Sequence, residues 1–350
     1  MSFVKKLEFG NYTLKFGSMV LLDLFNEIVF PSFKNRDYVR KHGETEYVFT
    51  QIKLKRLLIS AQENIGPSLP VYAIIGRIVK KAKIKREQIL IEGEIKSDPK
   101  ELDTAPSSIF MLMLNDHRLI FCREMAGAPT LDEFMNTSQA FLMNRYNSYI
   151  NYQLNKNKKQ RKKRPSINKL TKKDLQQKIP SPKLRITPLT DPRTLESFIC
   201  LFSKIKRLNV KLLPTNNEDL SMDSFWQQLQ NEKEESNSED LSLTYVNNNE
   251  GLNTASVLQK TVSATQMANS KVKIIGEDTN GDKLSGNNDT FSLVSEEPTL
   301  PTDIDEAAIV SFEKYKNLRD EGSISSPRDQ ENVSTIGKII KLCERWLNHD

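Results

Sequence analysis

Long apolar runs are missing from this chain of 350 residues. The longest, IFMLML at 109–114, falls far short of the ~20 residues a membrane-crossing helix needs, so no membrane partner is expected. Cysteine is scarce: Cys122, Cys200 and Cys343 stand far apart with no CxxC pair. That excludes a disulfide framework and a zinc site, and it fits buried thiols in a reducing compartment. Histidine is equally scarce, with His42, His117 and His349 alone, and no G-x-S-x-G surrounds any serine, so a hydrolase triad has no candidate. Neither GxGxxG nor a P-loop occurs. EDTNGDKLSGNND at 277–289 lacks the ordered D-x-D-x-D-G spacing and closing Glu of an EF-hand, and its Asn280-Gly281 reads as a turn, as does Gly286. No metal and no cofactor are therefore expected. The opening MSFVKKLEFGNYTLKFG has no apolar core behind its charges, so no signal peptide is expected and the location is read as cytoplasmic.

Charge is abundant, at 27% of residues against 37% apolar, and it is unevenly placed around a net +6. Residues 156–173 read KNKKQRKKRPSINKLTKK. They hold Lys156, Lys158, Lys159, Arg161, Lys162, Lys163, Arg164, Lys169, Lys172 and Lys173 with no acid. Ten like charges repel, so the run gains little by folding on itself and reads as a solvated linker or helix end. Alternatively it meets phosphates, because each cation that neutralises one releases counterions. A second cluster, Arg77, Lys80, Lys81, Lys83, Lys85 and Arg86 in GRIVKKAKIKR, lies between two expected strands. A basic hairpin there could follow a nucleic-acid groove. Aromatics near the main run are limited to Tyr146, Tyr149 and Tyr152, which favours backbone contact with a duplex over stacking on single strands. The acidic counterweight is the stretch 215–250, with nine acids against Lys233 alone.

The pattern of elements begins with a strand within 7–16 and a helix over 18–30 ended by Pro31. Strands follow at 47–54, 70–79 and 88–95, then a hairpin of 109–114 with 118–123 across Asn115-Asp116-His117. Thr130 and Glu133 form a capping box for one long helix reaching Lys163, where the cations complement the helix dipole and Pro165 ends it. KLRITPL from 183, the helical pattern at 195–205 and the strand at 208–213 predict a β-α-β unit with parallel neighbours. A short helix at 222–230, a strand at 241–246, a hairpin of 270–276 with 290–294, a Pro-containing linker and a helix at 303–319 follow. A charge-rich segment from 322 leads to a last helix whose face is Ile336, Ile339, Ile340, Cys343, Trp346 and Leu347. The fold class expected is α+β: two mixed α/β domains joined by a long helix and a strongly basic linker. The boundaries are 1–154, a basic helix end and linker at 155–182, a second domain at 183–302, and C-terminal helices at 303–350.

Residues 108–135, SIFMLMLNDHRLIFCREMAGAPTLDEFM, run an apolar hairpin into a Gly-Ala-Pro-Thr turn and a helix starting Thr-Leu-Asp-Glu-Phe. In this, and loosely in the later β-α-β region from KLRITPL to VKLL, the chain resembles RexA-type phage-exclusion (abortive infection) proteins and related prophage and defence-island proteins. The resemblance implies a non-enzymatic, DNA-binding, dimeric protein, and brings no catalytic motif to carry over. The denser basic linker and longer acidic second half depart from that plan.

The leading expectation is therefore sequence-independent binding of duplex DNA in anti-phage defence. A homodimer through the C-terminal helix and a defence partner protein are further expected partners. Two other classes stay open. Glu92, Glu94 and Lys96 in IEGEIKSD give the E-x-K strand motif of a metal-dependent nuclease, although the preceding strand supplies no acid and the same alternation suits the wet face of an edge strand. Alternatively the basic run merely tethers two domains of a protein–protein adaptor.

Overall fold

The computed structural model describes residues 3–57, 70–214, 224–238, 240–325 and 332–347, and of 224–226 and 332–334 the backbone alone. His349, the acids Glu218, Asp219, Asp223 and Glu239, the first residues of the helix expected at 222–230 and part of the segment following 322 lie outside them. The chain folds as an α+β protein with two antiparallel sheets.

The first stretch of chain builds β1 (Lys6–Phe16), β2 (Met19–Val20), α1 (Phe30–Lys34), β3 (Arg40–His42), β4 (Thr45–Leu57), β5 (Val71–Ile91), β6 (Glu94–Thr104), β7 (Ser107–Met113) and β8 (Arg118–Arg123). The helix expected over 18–30 is not formed. Residues 21–29 make 3-10 and π turns, and Pro31 sits in the first turn of α1 rather than at a helix end. The strand expected at 70–79 runs on to Ile91 as the 21-residue β5, and the strand expected at 88–95 is a hairpin tip instead, divided at Glu92-Gly93 between the end of β5 and the start of β6.

The next elements are α2 (Leu131–Lys163), α3 (Lys172–Lys178), β9 (Lys183–Pro188), α4 (Pro192–Ile199), β10 (Lys204–Leu212), α5 (Ser224–Glu235), β11 (Ser242–Val246) and α6 (Thr254–Thr265). The chain closes with β12 (Ser270–Glu277), β13 (Lys283–Asn287), β14 (Val294–Glu296), α7 (Ile304–Asp320) and α8 (Asn332–Leu347).

The larger sheet has ten strands in the order β14-β1-β8-β7-β5-β4-β3, with β2 and β9 also on β1 and β6 on β5. Its side chains alternate between two cores. Leu119 and Phe121 of β8 join Phe49, Phe110, Phe134 and Phe141 beneath α2. Ile120 and Cys122 join Ala73, Ile75 and Met111 beneath Ile304, Ala308 and Phe312 of α7. Both faces are covered, which is why the central strands read as unbroken apolar runs although every pairing is antiparallel.

The β-α-β expectation fails. β9 pairs antiparallel with β1 in the large sheet, whereas β10 lies in the four-stranded sheet β11-β10-β12-β13. Antiparallel neighbours occupy both sides of β10, so no parallel partner has room. The boundary expected at 183 accordingly falls inside the large sheet. The chain leaves that sheet at Leu189 and returns at Leu293, and the amide of Leu293 donates to the carbonyl of Leu189 at 2.6 Å. Residues 190–292 are thus an excursion with closed ends, built on Leu195, Phe198, Leu208, Val257, Val272 and Ile274. Within it β12 pairs with β13, not with 290–294, across a turn holding Asn280 and Gly281 at φ +83°. Gly286 is a strand residue, not a turn: a Cβ there would meet the Phe198 ring at 2.4 Å. β14 lies in what was expected to be linker.

α8 docks on its own chain. Ile336, Ile339 and Cys343 are buried, Trp346 meets Phe30 edge-on at 4.9 Å and its Nε1 donates to Asn26 at 2.7 Å, and Lys338 reaches Asp23 at 2.7 Å. The face expected to hold a second copy is used within the chain. Among the described residues no helix is long and apolar enough to cross a membrane.

Candidate nucleic-acid interface

The cationic run is carried by the far end of α2. Thr130 caps the helix: its hydroxyl accepts from the Glu133 amide at 3.2 Å, and the Glu133 carboxylate accepts from the Thr130 amide at 2.8 Å. This is the capping box read from the sequence. Glu133 also takes hydrogen bonds from the Tyr47 hydroxyl and from Lys80 at 3.1 Å. Burial alone would raise the Glu133 carboxyl, but these bonds outweigh it and hold the group below the usual carboxylate value. Burial, then Glu133 itself, pushes Tyr47 up to about 12. A depressed carboxyl contributes stability at neutral pH and loses it as pH falls through its folded value. Glu133→Gln is therefore expected to flatten the acid limb of a stability-against-pH curve, measured by urea unfolding at several pH values. An unchanged limb would remove Glu133 from the acid response.

α2 has 33 residues, about 50 Å at 1.5 Å per residue. Its buried residues end at Ile150 and Leu154 is the last to pack against the core, so the final two turns stand clear of it. The helix runs to Lys163 and the chain then folds back. Asn157 donates to the Asn168 carbonyl at 3.2 Å and accepts from the Leu170 amide at 3.1 Å, and Arg161 Nε donates to the Ile167 carbonyl at 3.2 Å. Thr171 caps α3, whose Leu175 is buried. The expected linker is thus a pinned helix–loop–helix, and no loose tether is seen across 156–173.

All ten cations of the run except the half-buried Arg161 are exposed. None of the ten is in an ion pair among the described residues. Lys156, Lys159 and Lys163 share a face with Tyr152 and Gln160 along a shallow groove of about 240 Å³. Asp174, the nearest acid in sequence, is occupied as the α3 capping-box carboxylate, held low first by Thr171 and then by Lys178 and Lys173.

The second cluster is a different object. Arg77 is held by Glu124 at 2.9 and 3.0 Å, with side chains only 12% and 8% exposed, and also reaches Gln51 and the Thr302 carbonyl. It is a structural ion pair. Lys80 is tied to Glu133, Lys83 to Glu101 at 2.8 Å, Lys85 to Glu44 at 3.2 Å, and Arg86 to Asp98. Lys81 is exposed. These last residues lie in a two-stranded arm, where the second half of β5 pairs with β6. Over 81–104 the arm carries Lys81, Lys83, Lys85, Arg86, Lys96 and Lys100 against Glu87, Glu92, Glu94, Asp98, Glu101 and Asp103, so its charge cancels. A reading of the run in sequence misses this because the acids arrive on the opposite strand.

The nuclease motif is not assembled. Glu92 and Gly93, at φ +51° and +84°, form the tight turn of the arm, while Glu94 and Lys96 are exposed near its tip and 4.0 Å apart. Among the described residues no group of His, Cys, Asp or Glu could hold a metal ion. Of the cysteines, Cys122 and Cys343 are buried, which pushes each thiol up to about 12, but Cys200 is exposed against expectation. A cleft of about 290 Å³ beside the start of α2 is lined by Glu8, Asp132 and Asp289 with Arg123, an acidic set that repels phosphate. Burial raises the Glu8 carboxyl there, opposed by Arg123 and reinforced by Asp132.

Fold and site together define an α+β protein with a broad antiparallel sheet and one helix end of concentrated, unneutralised positive charge. Residues 136–315 match the family model described as Domain of unknown function (DUF4747), just over half of the 350 residues, and the chain belongs to that family. No curated protein matches the chain. The matched span begins in α2 and ends in α7, so it includes the cationic run and the whole excursion but not the arm.

Proposed function

We propose that this protein binds duplex DNA without sequence preference through the cationic end of α2 and the start of α3, and that it does so in phage exclusion. The observation that carries the reading is the set of ten cations on a pinned helix–loop–helix, none paired within the chain among the described residues. A helix dipole rewards only a charge or two in the last turn. Apart from Arg161, which holds the loop, and Lys173, which lies by Asp174, the excess is in no hydrogen bond or ion pair among the described residues, and phosphate contact would release counterions from each cation. The phage-exclusion setting rests on the resemblance of 108–135. The excursion at 190–292 is read as a second folding unit, in place of the one expected at 183–302.

The test keeps the fold. Lys158, Lys159, Lys162, Lys163 and Arg164 are changed to Ala together, leaving Arg161 to hold the loop; alanine is a strong helix former. Affinity for unrelated duplexes is expected to fall alike, by at least about a hundredfold at low salt. Duplex is expected to compete better than single-stranded DNA or RNA, with or without magnesium. Unaltered binding by the variant, or magnesium-dependent loss of supercoiled plasmid that Glu94→Gln abolishes, would overturn the reading.

A further inference from the structure

The arm leaves one face uncovered. From Ala82 outward β5 pairs only with β6, and the residues on one face of the pair are exposed. Cross-strand partners point to the same side. Four successive levels on one face are therefore Ile84 with Leu102, Arg86 with Lys100, Gln88 with Ser97, and Leu90 with Ile95. The apolar members are 59%, 65%, 71% and 71% exposed in the order Ile84, Leu102, Leu90, Ile95. A lone two-stranded ribbon is marginal in water, and four of the six large apolar side chains of this one stand on the same side, with Ile89 and Ile91 on the other.

We propose that this face packs against the same face of a second copy of the chain. The order of the levels is apolar, basic with Asp98 between its two cations, neutral polar, apolar. A two-fold axis crossing the ribbon between its second and third levels matches them. It sets Ile84 and Leu102 on Leu90 and Ile95 of the other copy, twice. It sets Arg86 and Lys100 against the Gln88 amide and the Ser97 hydroxyl, which can accept hydrogen bonds, instead of against each other. Such an isologous fit needs one patch to complement itself, which this order does.

Two further observations select the face rather than the edge, and protein rather than DNA. The outer strand β6 carries Pro99, which has no N–H, and an irregularity between Arg86 and Gln88 in its pairing. Both obstruct addition of another strand. The charge of the arm cancels over 81–104, so it does not attract a polyanion. The proposal is independent of the DNA-binding reading, since the arm and the end of α2 share no residue.

Sedimentation equilibrium of the full chain is expected to give the mass of two chains at micromolar concentration. Leu90→Thr with Ile95→Thr, which puts strand-favouring β-branched side chains at both exposed positions, is expected to leave single chains with an unchanged circular dichroism spectrum. The register is tested by sign at one position. Gln88→Glu faces cations of the other copy and is expected to tighten the dimer about tenfold, whereas Gln88→Lys is expected to loosen it about tenfold. A chain that is single at every concentration overturns the proposal. So does a dimer indifferent to the threonine pair, or one that responds alike to Gln88→Glu and Gln88→Lys.

Discussion

Arg77→Ala is expected to lower the unfolding free energy by about 3–5 kcal/mol, the range for breaking a buried ion pair by removing one partner. Arg77 meets Glu124 through two nitrogens at 2.9 and 3.0 Å, and Ser107 donates to the same carboxylate at 2.5 Å. Removing the guanidinium leaves an 8% exposed carboxylate without its counter-charge. It also removes the bond to the Thr302 carbonyl that ties the approach to α7 to the sheet. The loss should appear as a lower urea midpoint with unchanged slope. Adding Glu124→Ala should recover part of it, because the orphaned charge goes too. Lys83→Ala is the contrast: its pair with Glu101 is at the surface and its loss is expected to be near zero. Equal small losses at Arg77 and Lys83 would return Arg77 to the surface cluster in which its sequence placed it.

Ile339→Ala carries the second large effect. Ile339 is fully buried among the aromatic side chains under α2, on the helix whose Trp346 packs on Phe30. Large-to-small changes at such sites cost about 2–5 kcal/mol, depending on how far the cavity collapses. The number of chains per particle is expected to stay the same, since α8 covers its own body. A loss of subunits without a loss of stability would mean that α8 holds a second copy instead.

Much of the sheet and the helix ends is legible in local chemistry. The Thr130–Glu133 box, the stop at Pro165 and the 109–123 hairpin follow from side-chain hydrogen bonding and turn preference, which a single sequence displays. What it does not display is pairing. KLRITPL is a strand as its sequence suggests, but its partner β1 lies some 170 residues earlier, and nothing local distinguishes that edge from a parallel neighbour. α6 escapes a sequence reading because TASVLQKTVSAT is rich in β-branched residues; the usable signal is Asn253, whose side chain caps it by accepting from the Ser256 amide. The start of α3 is hidden inside a charge run. The candidate site divides the same way. The main run is unneutralised because its neighbours in sequence are also its neighbours in space. The second cluster is neutralised by Glu101, Asp98 and Glu124, which only strand pairing brings close.

The most direct test of the central claim is the salt dependence of duplex binding, followed by fluorescence anisotropy on one duplex. The logarithm of the binding constant is expected to fall linearly with the logarithm of salt concentration, steeply for the natural chain. The slope is expected to shrink by up to about 4.5 when Lys158, Lys159, Lys162, Lys163 and Arg164 are alanine, at ~0.9 for each phosphate no longer neutralised. A slope that is the same in the natural chain and the variant would contradict the account, because the end of α2 would then touch no phosphate.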